Sequence, residues 1–235
     1  MPYLGGKFRT RKAIAAFLES VRAPGQTYFE PFCGACWITM EMSGERMAGD
    51  GNAALMALWE ALQGGWLPPS EVTEAEYAQL KAAQDPADPM TAFAGIGCSF
   101  SGKWFGGYAR GNSLNYAATA RSSLLAELPR LRGVRFVRGG YRDHAPEGCL
   151  AYCDPPYANT TAYNGLPPFD HAQFWETMRG WAQSNTVVVS EYQAPPDFPC
   201  VLEIPTRTGL RTGANGSEPR IERLSMHESQ TWMAL

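Results

Sequence analysis

Three observations predict an α/β protein built on a mostly parallel sheet. Short β-branched and aromatic runs recur along the chain, helices with capping signals lie between them, and acidic or glycine-bearing turns follow several of the runs. From the N-terminus, Ile14, Phe17, Leu18 and Val21 share one helical face over residues 8 to 21, and Pro24-Gly25 closes that segment. "TYFEPF" at 27 to 32 reads as a strand, and a glycine-containing turn leads from it into "ACWITMEM", readable as a helix. "RMAGD" is a second strand ending at Asp50, and "AALMALWEAL" a helix stopped by Gly64-Gly65. Thr73 and Glu76 make a capping box and Val72 and Tyr77 a hydrophobic staple, which predicts a helix to about residue 84. "AGIGCSFSGKWFGGYARGNS" follows with no period. Strand signals return in "VRFVRG" at 134 to 139, "CLAYCD" at 149 to 154 and "TVVVSEY" at 186 to 192. Between the last two, Asp170 caps a helix with Gln173 at its third position, Phe169 and Phe174 form a staple, and Met178 and Trp181 continue the buried face. "CVLEIP" and "RIERLSMHE" supply two closing strands. The sheet is thus expected to be interrupted by an insertion at roughly 56 to 133.

A chain of 235 residues supports one substantial core, or one core with a small insertion. With 45% apolar and 18% charged residues and a mean hydropathy of -0.28, it reads as soluble and globular. No apolar run approaches the roughly 20 residues that cross a bilayer. "MPYLGGKFRTRK" lacks the apolar stretch of a signal peptide, so the expected location is the cytoplasm, with no membrane partner. Six cysteines there are expected as free thiols. Cys33/Cys36 and Cys149/Cys153 invite a four-thiolate zinc reading, but one pair lies in a turn and the other mostly inside a strand, so no metal is expected.

A net charge of -3 argues against a chain whose whole surface binds nucleic acid. Charge is nevertheless uneven. From Lys103 to Arg142 the chain carries Lys103, Arg110, Arg121, Arg130, Arg132, Arg135, Arg138 and Arg142 against Glu127. Such a run is a solvated face or a local phosphate-binding surface, and both readings stand at this point.

In open parallel sheets, ligands sit beyond the carboxyl ends of the strands. "FEPFCGAC" turns through Gly34, where a missing Cβ lets the backbone approach a ligand. Asp50 follows about 20 residues after Glu30, the spacing that puts an acid on ribose hydroxyls in nucleotide-binding folds. Alone, the first is more often only a turn and the second only a helix cap. The third strand end is "CLAYCDPPYANT". Pro155 and Pro156 have no N–H and fix their φ angles, so the chain leaves the sheet in a rigid extended turn. Asp154 and the Pro155 carbonyl then offer two acceptors beside the Tyr157 ring. Two acceptors suit an exocyclic NH2 group, and an aromatic face suits an unstacked base. A proline-rich turn with a capping aspartate is the alternative if "DPPY" is taken by itself.

Together these segments resemble a known family: the Dam-type DNA adenine-N6 methyltransferases of the class I S-adenosylmethionine-dependent fold, especially the compact versions of bacteriophages. "YLGGKFR" at 3 to 9 is similar to the family's N-terminal cofactor motif, "FEPFCGA" at 29 to 35 to its glycine motif, Asp50 with Asn52 to its ribose-contacting strand end, and "DPPY" to its catalytic motif. Their order matches the family's alpha arrangement. The resemblance implies a Rossmann-like, mostly parallel seven-stranded sheet flanked by helices. Residues 1–55 and 134–235 would form the catalytic domain, and 56–133 a mainly helical or irregular target-recognition insertion.

The same resemblance implies S-adenosyl-L-methionine as methyl donor, S-adenosyl-L-homocysteine as product and double-stranded DNA as partner, with no obligatory protein partner. Tyr3 and Lys7 would help hold the cofactor, Glu30, Phe32 and Gly34 shape its pocket, Asp50 accept from its ribose and Asp143 contact its adenine. Asp154, shared between cofactor and target amine, would act with Pro155, Pro156 and Tyr157 in catalysis. Tyr163 or Phe169 would cover the second face of the flipped base, although Phe169 also reads as a helix staple. Lys103 and Arg110 in "KWFGGYAR" are the first candidates for DNA contact. Asn112 and Asn115 are candidates for an adenine edge, while Arg121, Arg130 and Arg132 would meet phosphate or solvent. Cys36 departs from the pattern, since many members have glycine there and a side chain disfavours a positive φ. Three rivals remain: a cytosine-N4 methyltransferase, which more often carries Ser in place of Asp154; an RNA or protein amide methyltransferase, usually with Asn; and a DNA-binding module without catalysis.

Overall fold

A computed structural model describes residues 3, 5–111, 114–157, 169–207 and 219–234. Seven strands form one mixed sheet: β1 (Thr27–Glu30), β2 (Arg46–Asp50), β3 (Arg135–Arg138), β4 (Cys149–Cys153), β5 (Thr186–Ser190), β6 (Cys200–Arg207) and β7 (Pro219–Met226). Their order is β3-β2-β1-β4-β5-β7-β6. β2 runs parallel to β3, and β4 runs parallel to both β1 and β5. β7 is antiparallel to β5 on one side and to β6 on the other. This order, with its single reversed strand, is that of class I methyltransferases. Among the described residues no helix is long and apolar enough to cross a membrane.

The chain divides into two compact units. One comprises Met1–Gly6, Pro31–Met40 and Arg46–His144 and contains β2, β3 and the helices α2 (Ala53–Gln63), α3 (Glu74–Ala83), α4 (Pro89–Ala92) and α5 (Tyr116–Glu127). Its core gathers Leu55, Trp59, Phe93, Ile96 and Leu124, with the Trp59 indole stacked on Phe136 at 6.1 Å. The capping box of α3 is formed: the Thr73 hydroxyl accepts from Glu76 N, and the Glu76 carboxylate accepts from Thr73 N. The stapling Tyr77 is buried, and its hydroxyl meets Ser99 Oγ at 2.7 Å and accepts from Gly107 N at 3.2 Å. That ring, edge-on to Phe105 and Tyr108, anchors the loop that the sequence leaves without a period.

Two local readings change. "ACWITMEM" is a succession of turns rather than a helix, because Gly34 and Cys36 both adopt positive φ, +46° and +57°, and a right-handed helix cannot propagate through such residues. Within residues 56–133, α5 was not marked by the sequence because its buried side is made of Ala117, Ala120 and Leu124, a face too small to give an apolar period. Its start is set by Asn115, whose Oδ1 accepts from Ala118 N at 2.9 Å while its Nδ2 donates to Ser70 O at 3.0 Å.

The second unit, Lys7–Glu30, Glu41–Glu45 and Ala145–Leu235, contains β1, β4 to β7 and the helices α1 (Arg11–Val21) and α6 (His171–Trp181). β4 and β5 are buried along their whole length, as strands flanked on both faces are. α6 starts where Asp170 Oδ1 accepts from Gln173 N, with the Phe169 and Phe174 rings 5.6 Å apart. It buries Phe174, Trp175, Met178 and Trp181.

Since both amide functions of Asn115 hold local structure, Asn115→Ala is expected to lower unfolding stability by about 1 kcal/mol. Urea denaturation of the variant against the parent chain measures it.

Candidate functional site

At the end of β2, Asp50 joins two segments. Its Oδ2 accepts from Gly34 N at 3.0 Å and its Oδ1 from Asn52 N at 2.9 Å. Asn52 in turn caps α2 by accepting from Leu55 N, and the Gly34 carbonyl takes the Trp59 indole N–H at 3.0 Å. Gly34 is required in two ways. Its φ is positive, and a Cβ there would lie 2.8 Å from Cε1 of the Tyr3 ring. Cys36 adopts the same left-handed region although fully buried, at a cost of roughly 1–2 kcal/mol for a residue with a Cβ. The departure at Cys36 therefore leaves the positive-φ turn in place, contrary to the expectation from its side chain. Burial raises the Asp50 pKa, and the bonds from Asn52 and Gly34 offset this only in part.

In the same unit, Phe32 packs its ring 5.3 Å from that of Tyr141, and Asp143 accepts from Gly140 N at 2.8 Å in the short 3-10 turn that follows β3. Tyr3 lies here too, against Gly34.

Lys7, which the sequence groups with Tyr3, belongs to a different cluster. β4 ends because Pro155 and Pro156 cannot donate to a ladder, and Asp154 stands just past that end. Lys7 Nζ lies 2.8 Å from Asp154 Oδ1, 3.6 Å from Glu222 Oε1 and donates to the Tyr157 hydroxyl at 2.6 Å. Tyr157 donates to Glu222, as does the Ser190 hydroxyl, and the two hydroxyls are 2.9 Å apart. The Tyr192 ring meets that of Tyr157 edge-on at 4.6 Å. Lys7 Nζ is also 4.6 Å from the Tyr157 ring centre, a distance that follows from the hydroxyl bond rather than from a face-on cation–π contact.

Two carboxylates thus share one ammonium in a half-buried to buried setting, the Lys7, Asp154 and Glu222 side chains being 10%, 17% and 8% exposed. Burial pushes the Asp154 pKa up to about 6; Lys7 opposes the shift and Glu222 adds to it. For Lys7, burial lowers the pKa, but Asp154 and Glu222 outweigh burial and the net direction is up. Burial, Asp154 and Glu222 hold the Tyr157 phenol well above its usual range, so it stays protonated. The folded chain binds the Asp154 proton more tightly than the unfolded chain does. Stability from this group is therefore lost as pH rises from 3.8 through about 6.

Of the other residues singled out in the sequence, Glu30 is buried at the end of β1 and accepts from the Tyr28 hydroxyl at 2.9 Å. Lys103 is half-buried in its loop. Arg110 is exposed and paired with Glu74, Arg121 donates to the Pro68 carbonyl, and Arg130 donates to the Met40 carbonyl at 3.2 Å. Asn112 and Tyr163 lie outside the described residues. All six cysteines are free thiols, and Cys149 and Cys153 stand at opposite ends of one strand, about 13 Å apart at 3.3 Å per residue. No group of three or more potential metal ligands occurs among the described residues.

Sequence reasoning missed Glu222 and Ser190. The signal for Glu222 is its parity in "RIERLSM": Glu222 shares a face with the buried Leu224 and Met226, whereas Ile221 is 41% exposed. An acid on the inward register of a strand and an isoleucine on the outward one invert the usual pattern.

The chain matches no protein-family model and no curated protein sequence. The fold is nevertheless that of class I methyltransferases and is consistent with a methyltransferase. More specifically, the fold is compatible with S-adenosylmethionine binding.

Both Asp50 oxygens face backbone N–H groups, so Asp50→Asn turns one of them into a donor against a donor. The variant is expected to lose roughly 1–3 kcal/mol of unfolding stability, read by chemical denaturation.

Proposed function

We propose that the chain is a site-specific DNA adenine-N6 methyltransferase, moving a methyl group from S-adenosylmethionine to the exocyclic amine of an adenine flipped out of duplex DNA. The observation that carries this reading is Asp154, a half-buried carboxylate just past the end of the parallel strand β4, stiffened by two prolines and set beside one further carboxylate, Glu222, and one ammonium, Lys7. The excess negative charge suits a sulfonium donor and an amine that becomes positive, and Asp50 supplies an acidic acceptor for ribose hydroxyls, so the side chains present fit the donor. When bound, that donor supplies an electrophilic methyl group.

The rest of the chemistry falls on the amine. Its lone pair is delocalised into the purine ring, which makes it a poor nucleophile. Asp154 and the Pro155 carbonyl accept its two protons in hydrogen bonds, favour the pyramidal nitrogen and aim the lone pair for in-line attack. With the N–C bond formed at the expense of the donor's S–C bond, positive charge would develop beside the Asp154 carboxylate, through which the surplus proton would leave to solvent. The base leaves the duplex at a cost of a few kcal/mol, offset in part by stacking on Tyr157, about 1–3 kcal/mol by analogy with single-strand binding. Glu30, Phe32, Gly34 and Tyr3 line the donor's place, and Asp143 takes its adenine. Residues 56–133 read the target, with Lys103 and Arg110 the leading contacts, whereas Arg121 and Arg130 are held by the Pro68 and Met40 carbonyls.

The test is methylation of duplex DNA with labelled donor followed by digestion to nucleosides. Labelled N6-methyladenine supports the reading, label on cytosine transfers it to the cytosine-N4 class, and binding without transfer leaves a DNA-binding module. Asp154→Ala is expected to abolish transfer while circular dichroism and melting stay close to the parent.

A pH profile gives a second check. Protonated Asp154 loses acceptor capacity, so transfer is expected to fall as pH drops through about 6. Lys7 lowers the Asp154 pKa, so Lys7→Met moves this acidic limb to higher pH. A limb that does not move in the variant contradicts the assignment.

A further inference from the structure

Glu222 is a buried carboxylate that none of the steps above uses. It comes from β7 and is 6% exposed. Its Oε1 collects the Ser190 hydroxyl, the Tyr157 hydroxyl and, at 3.6 Å, the Lys7 ammonium. Lys7 meanwhile sits 2.8 Å from Asp154 Oδ1, where it competes with any amine for that carboxylate. An ammonium buried with a single carboxylate would be locked in place, because leaving strands two desolvated charges. A second carboxylate at 3.6 against 2.8 Å changes this. Lys7 can move toward Glu222 by a fraction of a bond length and remain paired throughout.

We infer that Glu222 is a positioning residue: it receives Lys7 when an amine arrives at Asp154, and so frees the acceptor without leaving a buried ion unpaired. This inference rests on the amine-methylation reading of the site. Tyr157 ties the exchange to the proline turn, since its hydroxyl accepts from Lys7 and donates to Glu222 and therefore stays engaged in either position of the ammonium. Ser190, at the end of β5, holds the Glu222 oxygen by its own donated bond. Among the described residues, the titratable groups facing Asp154 are Lys7 from the N-terminal segment, Glu222 from β7, Tyr157 from its own turn, and Tyr152 and Cys153 from β4. Tyr192 adds to the field at Lys7, and Glu30 of β1 to that at Tyr152.

The experiment compares the pH dependence of kcat for methyl transfer to duplex DNA in the parent chain, Glu222→Gln and Glu222→Asp. With Gln, Lys7 stays on Asp154 and the second negative charge is gone. The acidic limb is expected to move to lower pH, and kcat at neutral pH to fall about tenfold or more. Glu222→Asp, which keeps the charge, should return the limb toward that of the parent and recover part of the rate. Equal limbs in all three proteins, whether or not the melting temperature falls, reduce Glu222 to a structural counter-ion and overturn the inference.

Carbon-13 titration of the Asp154 carboxyl in the parent chain and in Glu222→Gln tests it without turnover. The Asp154 midpoint should fall in the variant, and an unmoved midpoint overturns it. If the parent transfers no methyl group to any base, the methyltransferase reading falls, while the Asp154 titration still decides whether Glu222 acts on the Lys7–Asp154 pair.

Discussion

The sharing of one largely buried ammonium between two carboxylates is the constraint on which the second unit depends. β4 is buried along its length, so a carboxylate placed at its end is costly unless a cation meets it. The cation comes from before α1 and the second carboxylate from β7, near the opposite ends of the chain. The reversed strand therefore does more than close the sheet. By placing Glu222 on the register of Leu224 and Met226, it brings a negative charge into an otherwise apolar face.

The glycine-motif end solves a similar problem differently. Asp50 is also held up in pKa by burial, but its oxygens are met by main-chain N–H groups of Gly34 and Asn52. Those donors cannot leave without unfolding the turn, whereas a lysine side chain can move through several rotamers. The contrast suits the two proposed roles. A residue that holds a ribose benefits from a fixed position, while a residue that meets an incoming amine needs a partner that can be displaced. The positive φ at Cys36 belongs to the fixed half: the turn keeps a conformation that glycine adopts freely, and the burial of Cys36 offsets the strain.

What the sequence made legible was short-range. Capping pairs three residues apart, staples five apart and strand runs of four to six residues depend on local bonds and local pattern, and Thr73, Asp170, β2, β4 and β5 all came out close to their expected bounds. "DPPY" was legible because proline acts on its own backbone. The missed features depend on distant partners. Glu222 bonds Tyr157 across 65 residues, and Cys36 takes its φ from a turn fixed by Asp50 and Trp59. The end of the "TYFEPF" strand at Glu30 and the turns that replace the "ACWITMEM" helix are consequences of that same tertiary tie.

The basic run, left open between a solvated face and a phosphate-binding surface, divides by acceptor type. Arg121 and Arg130 bond main-chain carbonyls at Pro68 and Met40, and Arg46 likewise bonds the carbonyls of Arg130 and Arg132. Moving these arginines to a phosphate would leave carbonyls that the fold has already committed. Arg110 and Arg138 instead pair with Glu74 and Glu60 at the surface. Exposed ion pairs contribute little and are screened by salt, so such an arginine exchanges a carboxylate for a phosphate at small cost. Under the proposed reading, the acidic partners Glu74 and Glu60 keep these two arginines paired until a polyanion competes, and they discourage weak binding by isolated anions. Under that reading an overall net charge of -3 is compatible with a DNA partner, because the affinity would reside in a few exchangeable arginines rather than in the sum over the surface.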